Sequence, residues 1–169
     1  MLDELISHYE IEIRYADRWI GELFDALRDR GLYDETLVVI IADHGEEFGE
    51  HGVRREHWST HDGTQRVPLL VEPPAETDHD PGVGDQLVTN VDMVPTVADY
   101  AGLDAPAAWQ GESLRPVLTD ADADWRDQVV FDHGLYTSSA PSGSTAGSSS
   151  GPTTPVCGRA SPPTTSCST

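Results

Sequence analysis

The sequence has no lysine and only ten basic residues, all of them arginine, against 30 aspartates and glutamates. The formal charge is therefore -20. So acidic a surface repels nucleic acid and anionic membranes, and neither is an expected partner. The carboxylates are dispersed along the chain, which favours solvation in a salty cytoplasm over an acidic interaction tail. We therefore expect a cytoplasmic protein, and a halophilic source fits this composition.

Long apolar runs are also absent, and there are only two cysteines. No stretch approaches the ~20 apolar residues of a membrane span. The amino terminus lacks the basic and then apolar segment of an export signal. Cys157 and Cys167 both lie in a tail rich in Ser, Thr and Pro, and neither belongs to a CxxC motif. The cysteines thus predict no metal site and give little basis for a disulfide.

The apolar periodicity predicts an α/β domain. From Leu2 to Arg30 apolar residues recur at steps of three and four, which predicts an amphipathic helix that Gly31 ends. A β-branched run follows and predicts a strand buried on both faces, so that helix, tight turn and strand resemble half of a βαβ unit. The further elements expected are strands at 36–42, 67–71 and 128–131 and a helix at about 90–100, capped by Asn90 or Asp92, with Pro95 in its first turn.

The composition changes abruptly beyond Tyr136. All thirty acidic residues lie at or before Asp132, and the remaining segment is Ser, Thr, Gly, Pro and Ala with one arginine. Such a segment cannot bury enough apolar surface to offset its ordering entropy. We therefore expect a partial domain at 1–135 and a disordered tail at 136–169. An out-of-frame translation is favoured over an ordinary flexible tail, because the acidity stops at one point.

Two candidate metal ligands, Asp43 and His44, directly follow the predicted buried strand. Open α/β folds place their sites at the carboxyl edge of the sheet. Adjacent residues reach one ion only where strand alternation is broken, and Gly45 permits such a turn. The segment 45–65 reads as a long functional or disordered loop. It supplies three further histidines: His51, His57 and His61.

Several segments carry a family resemblance in their order and spacing: 9–17, 20–21, 27–36, the strand that follows, Asp43-His44-Gly45-Glu46, 49–52, Arg66-Val-Pro-Leu69, 91–96, 101–103 and 111–114. They resemble the carboxyl-terminal half of the sulfatase family within the alkaline-phosphatase superfamily. The resemblance covers about residues 5–135 and implies the carboxyl-terminal portion of a truncated alkaline-phosphatase-like domain. Together with the acidity of the chain, it fits a haloarchaeal source.

The resemblance assigns roles to single residues. Asp43 and His44 fall on the family's second pair of metal ligands, for a divalent cation that is Ca²⁺ first and Mn²⁺ or Mg²⁺ as alternatives. His57 lies nine residues before Arg66, where relatives carry a lysine or histidine that binds the sulfate and protonates the leaving oxygen. His51 and His61 compete for this role. The implied substrate is a sulfate ester of a small molecule or saccharide.

Other residues of the loop are expected to have supporting roles. Glu46 and His51 would orient the ligands or fix the loop. Arg66 would lead the chain into the next strand, with a binding role as the alternative.

One departure from the family concerns the nucleophile. Sulfatases take it from a Cys- or Ser-x-Pro-x-Arg segment whose cysteine becomes formylglycine, and no such segment occurs in this sequence. We therefore expect a fragment that is inactive alone, with a separate amino-terminal half as a possible partner. An uncovered apolar face on the first helix would make it poorly soluble at low salt.

Two rival functions stay open. The first is a phosphodiesterase, phosphonate hydrolase or phosphoethanolamine transferase of the same superfamily, because the discriminating nucleophile segment is missing. The second is a noncatalytic acidic module that binds cations through Glu46, Glu47, Glu50 and the histidines, or that pairs with a partner.

Overall fold

The computed structural model describes residues 2–52, 57, 59–79, 81–131 and 147–148. Its helices are α1 (Leu2–Asp29), α2 (Asp62–Gln65), α3 (Met93–Tyr100) and α4 (Arg115–Thr119), and its strands are β1 (Val38–Ile41), β2 (Leu69–Glu72), β3 (Val130–Phe131) and β4 (Gly147–Ser148). Short 3₁₀ turns lie at Tyr33–Glu35, Glu50–Gly52 and Asn90–Asp92. None of the described helices is both long and apolar enough to cross a membrane.

Helix α1 confirms the predicted amphipathic helix almost to the residue. Gly31 ends it with a φ of 66°, the left-handed conformation that glycine adopts without steric cost. The backbone N–H of Leu32 turns back to the carbonyl oxygen of Leu27 at 2.9 Å. None of the 28 residues of α1 is buried. This agrees with the expectation of an uncovered apolar face.

Strands β1 and β2 pair antiparallel, with Ile41 opposite Leu69 and Val38 opposite Glu72. The predicted order of helix, tight turn and strand is present as α1, the turn at Tyr33–Glu35 and β1. The neighbour of β1 in the described chain is, however, an antiparallel strand and not the parallel strand of a βαβ unit. The four residues of β1 are half-buried, whereas burial on both faces was expected. In a two-stranded sheet, β1 has a strand on one side only. The antiparallel pairing also brings the carboxyl end of β1 beside the amino end of β2.

The core lies against one face of this sheet. Leu69, Val71 and Leu114 are fully buried, and half-buried apolar side chains surround them, among them Val39, Ile41, Met93, Val117 and Trp125. Helix α4 and the segment before it thus cover β2, which explains why alternate residues of β2 are buried.

Asp92 connects the segment before α3 to the rest of the core. It is fully buried and accepts hydrogen bonds from the backbone N–H of Thr89 at 2.7 Å and of Glu112 at 2.9 Å. Thr89 and Asp92 form a capping box at the 3₁₀ turn that leads into α3, and Thr89 is the N-cap of that turn. Asp92, one of the two predicted caps, is the N-cap residue of α3, but its side chain makes no cap hydrogen bond to the helix. Pro95 lies in the first turn of α3, where a proline is tolerated.

The last predicted strand is present as β3, which pairs antiparallel with β4 through Val130 and Ser148. Apart from β4, the predicted disordered tail at 136–169 lies outside the described residues. Its disorder remains a prediction, as does the domain boundary at 135.

Candidate metal centre

Asp43 and His44 leave the sheet just past the carboxyl end of β1. One carboxylate oxygen of Asp43, Oδ1, accepts the backbone N–H of His44 at 3.0 Å. The Asn90 side chain donates to the Asp43 carbonyl oxygen at 3.0 Å, which connects this turn to the 3₁₀ turn before α3. The Asp43 side chain is 89% exposed. Its backbone is thus held while its carboxylate faces solvent.

The ring of His44 is oriented for ligation. Its Nδ1–H donates to the carbonyl oxygen of Gly45 at 2.9 Å, because a carbonyl only accepts. The neutral imidazole then carries its lone pair on Nε2, 3.9 Å from Oδ2 of Asp43. Ligand atoms lie at roughly 2.0–2.6 Å from Zn²⁺ or Ca²⁺, so two atoms this far apart can reach one ion. Asp43 and His44 therefore fit a shared divalent cation.

The pair does not make a complete metal site. Across the described ranges, no group of three or more His, Cys, Asp or Glu side chains is arranged to hold a metal ion. A divalent cation takes four or more ligands in proteins. Further ligands would therefore come from outside these residues or from water.

Gly45 is required by a close approach of the backbone. Its N–H donates to the carbonyl oxygen of Thr64 at 2.7 Å, and a Cβ at this position would overlap the carbonyl oxygen of Gly63. The φ of Gly45 is not positive, so the turn does not need the left-handed conformation of glycine. It needs a residue without a side chain, because the Gly63 carbonyl lies so close. The contact joins the two ends of the predicted long loop, whose last residues form α2.

His57 is the histidine that the structure brings to His44. The two rings are stacked, with centroids 4.0 Å apart and planes inclined by 18°. Nδ1 of His57 lies 3.7 Å from Oε2 of Glu46, which makes an ion pair whenever His57 is protonated. His61, by contrast, is exposed and precedes α2, and the side chain of His51 lies outside what the structure describes. The predicted roles of these histidines stay predictions.

The structure adds a residue that the sequence analysis placed only in a rival cation site. Glu47 is fully buried, and its Oε1 accepts the Ser59 hydroxyl at 2.8 Å, while its Oε2 has no hydrogen-bond partner among the residues that the structure describes. Ser59 in turn lies 3.1 Å from the Thr64 hydroxyl. Glu47 thus connects the start of the loop to Ser59, two residues after His57. The run Glu46-Glu47 carries no local signal that its second member is buried.

The three loop glutamates do not converge. Glu46 faces His57, Glu47 is buried against Ser59, and Oε2 of Glu50 accepts the N–H of Phe48 at 2.6 Å. The rival cation site made of these carboxylates therefore gains no support from their geometry. Arg66 is exposed at the end of α2, three residues before β2, and its N–H donates to the Asp62 carbonyl oxygen at 2.8 Å.

The chain is similar in sequence and in structure to known proteins. The family model described as Sulfatase matches residues 3–103. An N-acetylglucosamine-6-O-sulfatase from Bacteroides thetaiotaomicron is 32% identical over 136 residues, which are 79% of this chain and 24% of that protein. The structure of BT4656 in complex with its substrate D-glucosamine-2-N,6-O-disulfate is 31% identical with a TM-score of 0.67, over 73% of this chain and 25% of that one.

A second solved structure comes from a different class of hydrolase. The phosphonate monoester hydrolase SpPMH from Silicibacter pomeroyi is 30% identical with a TM-score of 0.58, over 72% of this chain and 25% of that one. The chain thus spans about a quarter of the length of the relatives that it matches.

Proposed function

The chain belongs to the sulfatase family, and from this we propose that residues 2–131 form part of a cation-dependent sulfuric ester hydrolase. In this proposal Asp43 and His44 hold the cation and His57 binds the sulfate group. The observation that carries it is the stacking of His57 on His44, with Nε2 of His44 facing the Asp43 carboxylate. A sulfate ester must contact both the cation and a proton donor, and here the candidate groups for the two tasks are adjacent.

The residues divide the work as follows. Asp43 and His44 orient a divalent cation, with Ca²⁺ first and Mn²⁺ or Mg²⁺ as alternatives; when bound, it would act as a Lewis acid on an ester oxygen. His57, whose side chain is 34% exposed, is accessible to a sulfate oxygen and can deliver a proton to the leaving oxygen. Glu46 lies beside His57 and restrains its ring.

The names of two relatives support a proposed substrate class. Two of them carry names that refer to sulfated amino sugars, and this favours a sulfate ester on a saccharide or another small molecule. The 169 residues contain no Cys- or Ser-x-Pro-x-Arg segment, so we expect no turnover from them alone.

Cation binding is the direct test. Calorimetric titration of the chain with Ca²⁺ and Mn²⁺ should reveal weak binding, with a Kd on the order of 10⁻⁴ to 10⁻³ M, because few protein ligands are present. Asp43→Ala should weaken this binding at least tenfold. Asp104→Ala, which removes another exposed aspartate, is the matched control and should leave the Kd unchanged. Equal binding by wild type and Asp43→Ala would remove the cation site.

The sulfate pocket needs its own measurement. Titration with sodium sulfate, at constant ionic strength set by chloride, should shift the imidazole NMR signals of His57 more than those of His8, an exposed histidine on α1. If both histidines respond alike, His57 has no specific role in binding sulfate.

A phosphonate monoester hydrolase is the second candidate, favoured by the similarity to SpPMH. The same NMR titration with methyl phosphonate separates the two. A larger response of His57 to phosphonate than to sulfate supports the second candidate, and the reverse supports the first.

A further inference from the structure

Three buried polar side chains join the two ends of the long loop that carries His57. Glu47 is fully buried, and its Oε1 accepts the Ser59 hydroxyl at 2.8 Å. The Oγ atom of Ser59 lies 3.1 Å from the hydroxyl oxygen of Thr64, which is also buried. We call Glu47, Ser59 and Thr64 the loop clasp.

The hydrogen bonds of the loop clasp run in one direction. The hydroxyl hydrogen of Ser59 points to Glu47, so the Ser59 oxygen acts as an acceptor towards its other neighbours. It accepts the Thr64 hydroxyl and the backbone N–H of His61, the latter at 3.1 Å. Glu47 is thus the acceptor at the end of this chain of hydrogen bonds and sets the orientation of the Ser59 hydroxyl.

Two glycines allow the backbone to close around the loop clasp. A Cβ on Gly63 would lie 2.9 Å from Cγ of Glu47, and a Cβ on Gly45 would overlap the carbonyl oxygen of Gly63. The N–H of Gly45 also donates to the Thr64 carbonyl oxygen at 2.7 Å. The backbone that directly follows His44 therefore packs against the backbone on which Glu47 lies.

The loop clasp holds both sides of the stack between His44 and His57. Glu47 is three residues after His44, and Ser59 is the first described residue after His57. The two rings are stacked with centroids 4.0 Å apart. Since the hydrogen bond between Glu47 and Ser59 joins the two segments that carry these rings, it controls how closely the rings approach.

Stability alone does not account for a carboxyl group at position 47. Its Oε2 has no hydrogen-bond partner among the described residues, and a buried polar atom left unpaired destabilises the folded state. An apolar side chain of similar length, such as methionine, would avoid the unpaired oxygen. A residue that breaks a general rule of folding in this way is expected beside a functional site.

We propose that Glu47 is a positioning residue for His57. Its hydrogen bond to Ser59 holds the His57 ring against His44, and Glu47 itself touches neither the cation nor the substrate. The consequence for sulfate binding rests on the proposed function, whereas the positioning of the ring does not.

NMR of the full chain tests both parts. Nuclear Overhauser contacts between the ring protons of His44 and His57 report the stack without any ligand, and titration with sodium sulfate, at constant ionic strength, reports the pocket. Glu47→Met should abolish the ring contacts and weaken sulfate binding at least fivefold. Its melting temperature should stay close to that of the wild type, because the unpaired Oε2 is removed together with the acceptor of Ser59.

Two further variants address the same hydrogen bond. Glu47→Gln keeps a side-chain oxygen that accepts the Ser59 hydroxyl, so it should retain the ring contacts and a sulfate affinity within twofold of the wild type. Ser59→Ala removes the donor and should lose the ring contacts. It decides the question if Glu47→Met fails to fold.

Thr96→Val is the matched control, because it removes buried hydrogen bonds outside the loop. Thr96 is fully buried, and its hydroxyl donates to the Asp92 carbonyl oxygen at 2.6 Å and accepts the N–H of Leu114 at 2.9 Å. This variant should lower the melting temperature but keep the contacts between His44 and His57. Glu47→Met and Thr96→Val should therefore have opposite effects on stability and on the stack.

Three outcomes would overturn the proposal: no ring contacts in the wild type, ring contacts that survive both Glu47→Met and Ser59→Ala, or a Thr96→Val chain that loses them as well. A fall in melting temperature for Glu47→Met as large as that for Thr96→Val would give Glu47 an ordinary stabilising role instead. If the ring contacts respond as expected but sulfate shifts no signal of His57, the proposed sulfate pocket fails and the positioning role stands. If sulfate binds the wild type and Glu47→Met equally well at His57, only the positioning role fails.

Discussion

Removing the Asp92 carboxylate should strongly destabilise the part of the chain that positions Asn90 against Asp43. Asp92 is fully buried and is the centre of an ion pair with Arg126, whose two terminal nitrogens donate to its oxygens at 2.9 and 2.7 Å. It also accepts the backbone N–H groups of Thr89 and Glu112. The Thr89 hydroxyl donates a fifth hydrogen bond to it at 3.1 Å, and Asp92→Ala breaks all five in one substitution.

The magnitude follows from burial. Removing one partner of a buried ion pair costs about 3–5 kcal/mol, because the other charge stays buried without compensation. The Arg126 side chain is only 19% exposed, so water cannot readily replace the carboxylate. A domain of this kind has a free energy of unfolding of roughly 5–15 kcal/mol. We therefore expect Asp92→Ala to remove a large share of it, about 3–5 kcal/mol.

The assay is urea unfolding followed by circular dichroism, at one fixed salt concentration because the chain is so acidic. Arg115→Ala is the control. It removes an ion pair with Asp99 at 3.1 Å in which the arginine side chain is 48% exposed. Exposed pairs contribute about 0–1 kcal/mol. If Asp92→Ala costs no more than Arg115→Ala, burial is not what makes the Asp92 contact strong, and the reasoning fails.

Two further predictions concern the candidate site and the turn after α1. Gly45→Ala should destabilise the chain by about 1–3 kcal/mol and weaken Ca²⁺ binding, because the added Cβ overlaps the Gly63 carbonyl. The control Gly21→Ala, whose added Cβ meets nothing within 4 Å, should instead raise the melting temperature. A Gly45→Ala chain with wild-type melting and Ca²⁺ binding would contradict the prediction. Burial, followed by the hydrogen bond to Glu72 at 2.7 Å, raises the pKa of Tyr33 above 10.0. The stability from this raised pKa is fully present below pH 10 and is lost as the pH rises through the folded-state pKa. Above pH 10, the melting temperature should therefore fall less steeply with pH for Tyr33→Phe than for the wild type. Parallel plots of melting temperature against pH would refute the role of Tyr33.

The elements that sequence analysis predicted best are those with a local signal. Helix α1 has apolar residues at helical spacing over its whole length and a glycine just after it, and its observed end at Asp29 is close to the predicted one. Strand β1 lies within its predicted run, and β2 begins two residues later and ends one residue later than predicted. The predicted cap Asp92 does precede α3, but its capping box with Thr89 was missed, because Thr89, Asn90 and Asp92 are all good candidates by residue type.

The sequence by itself determined the family, the main helix and strands, and the placement of Asp43 and His44 just past a strand. These follow from periodicity and short motifs, which act within about ten residues. Only the tertiary structure decided that β1 and β2 pair antiparallel, that His57 stacks on His44, and that Glu47 is buried against Ser59. Each joins residues twelve or more positions apart, and such contacts depend on how the intervening loop closes, which no local pattern encodes.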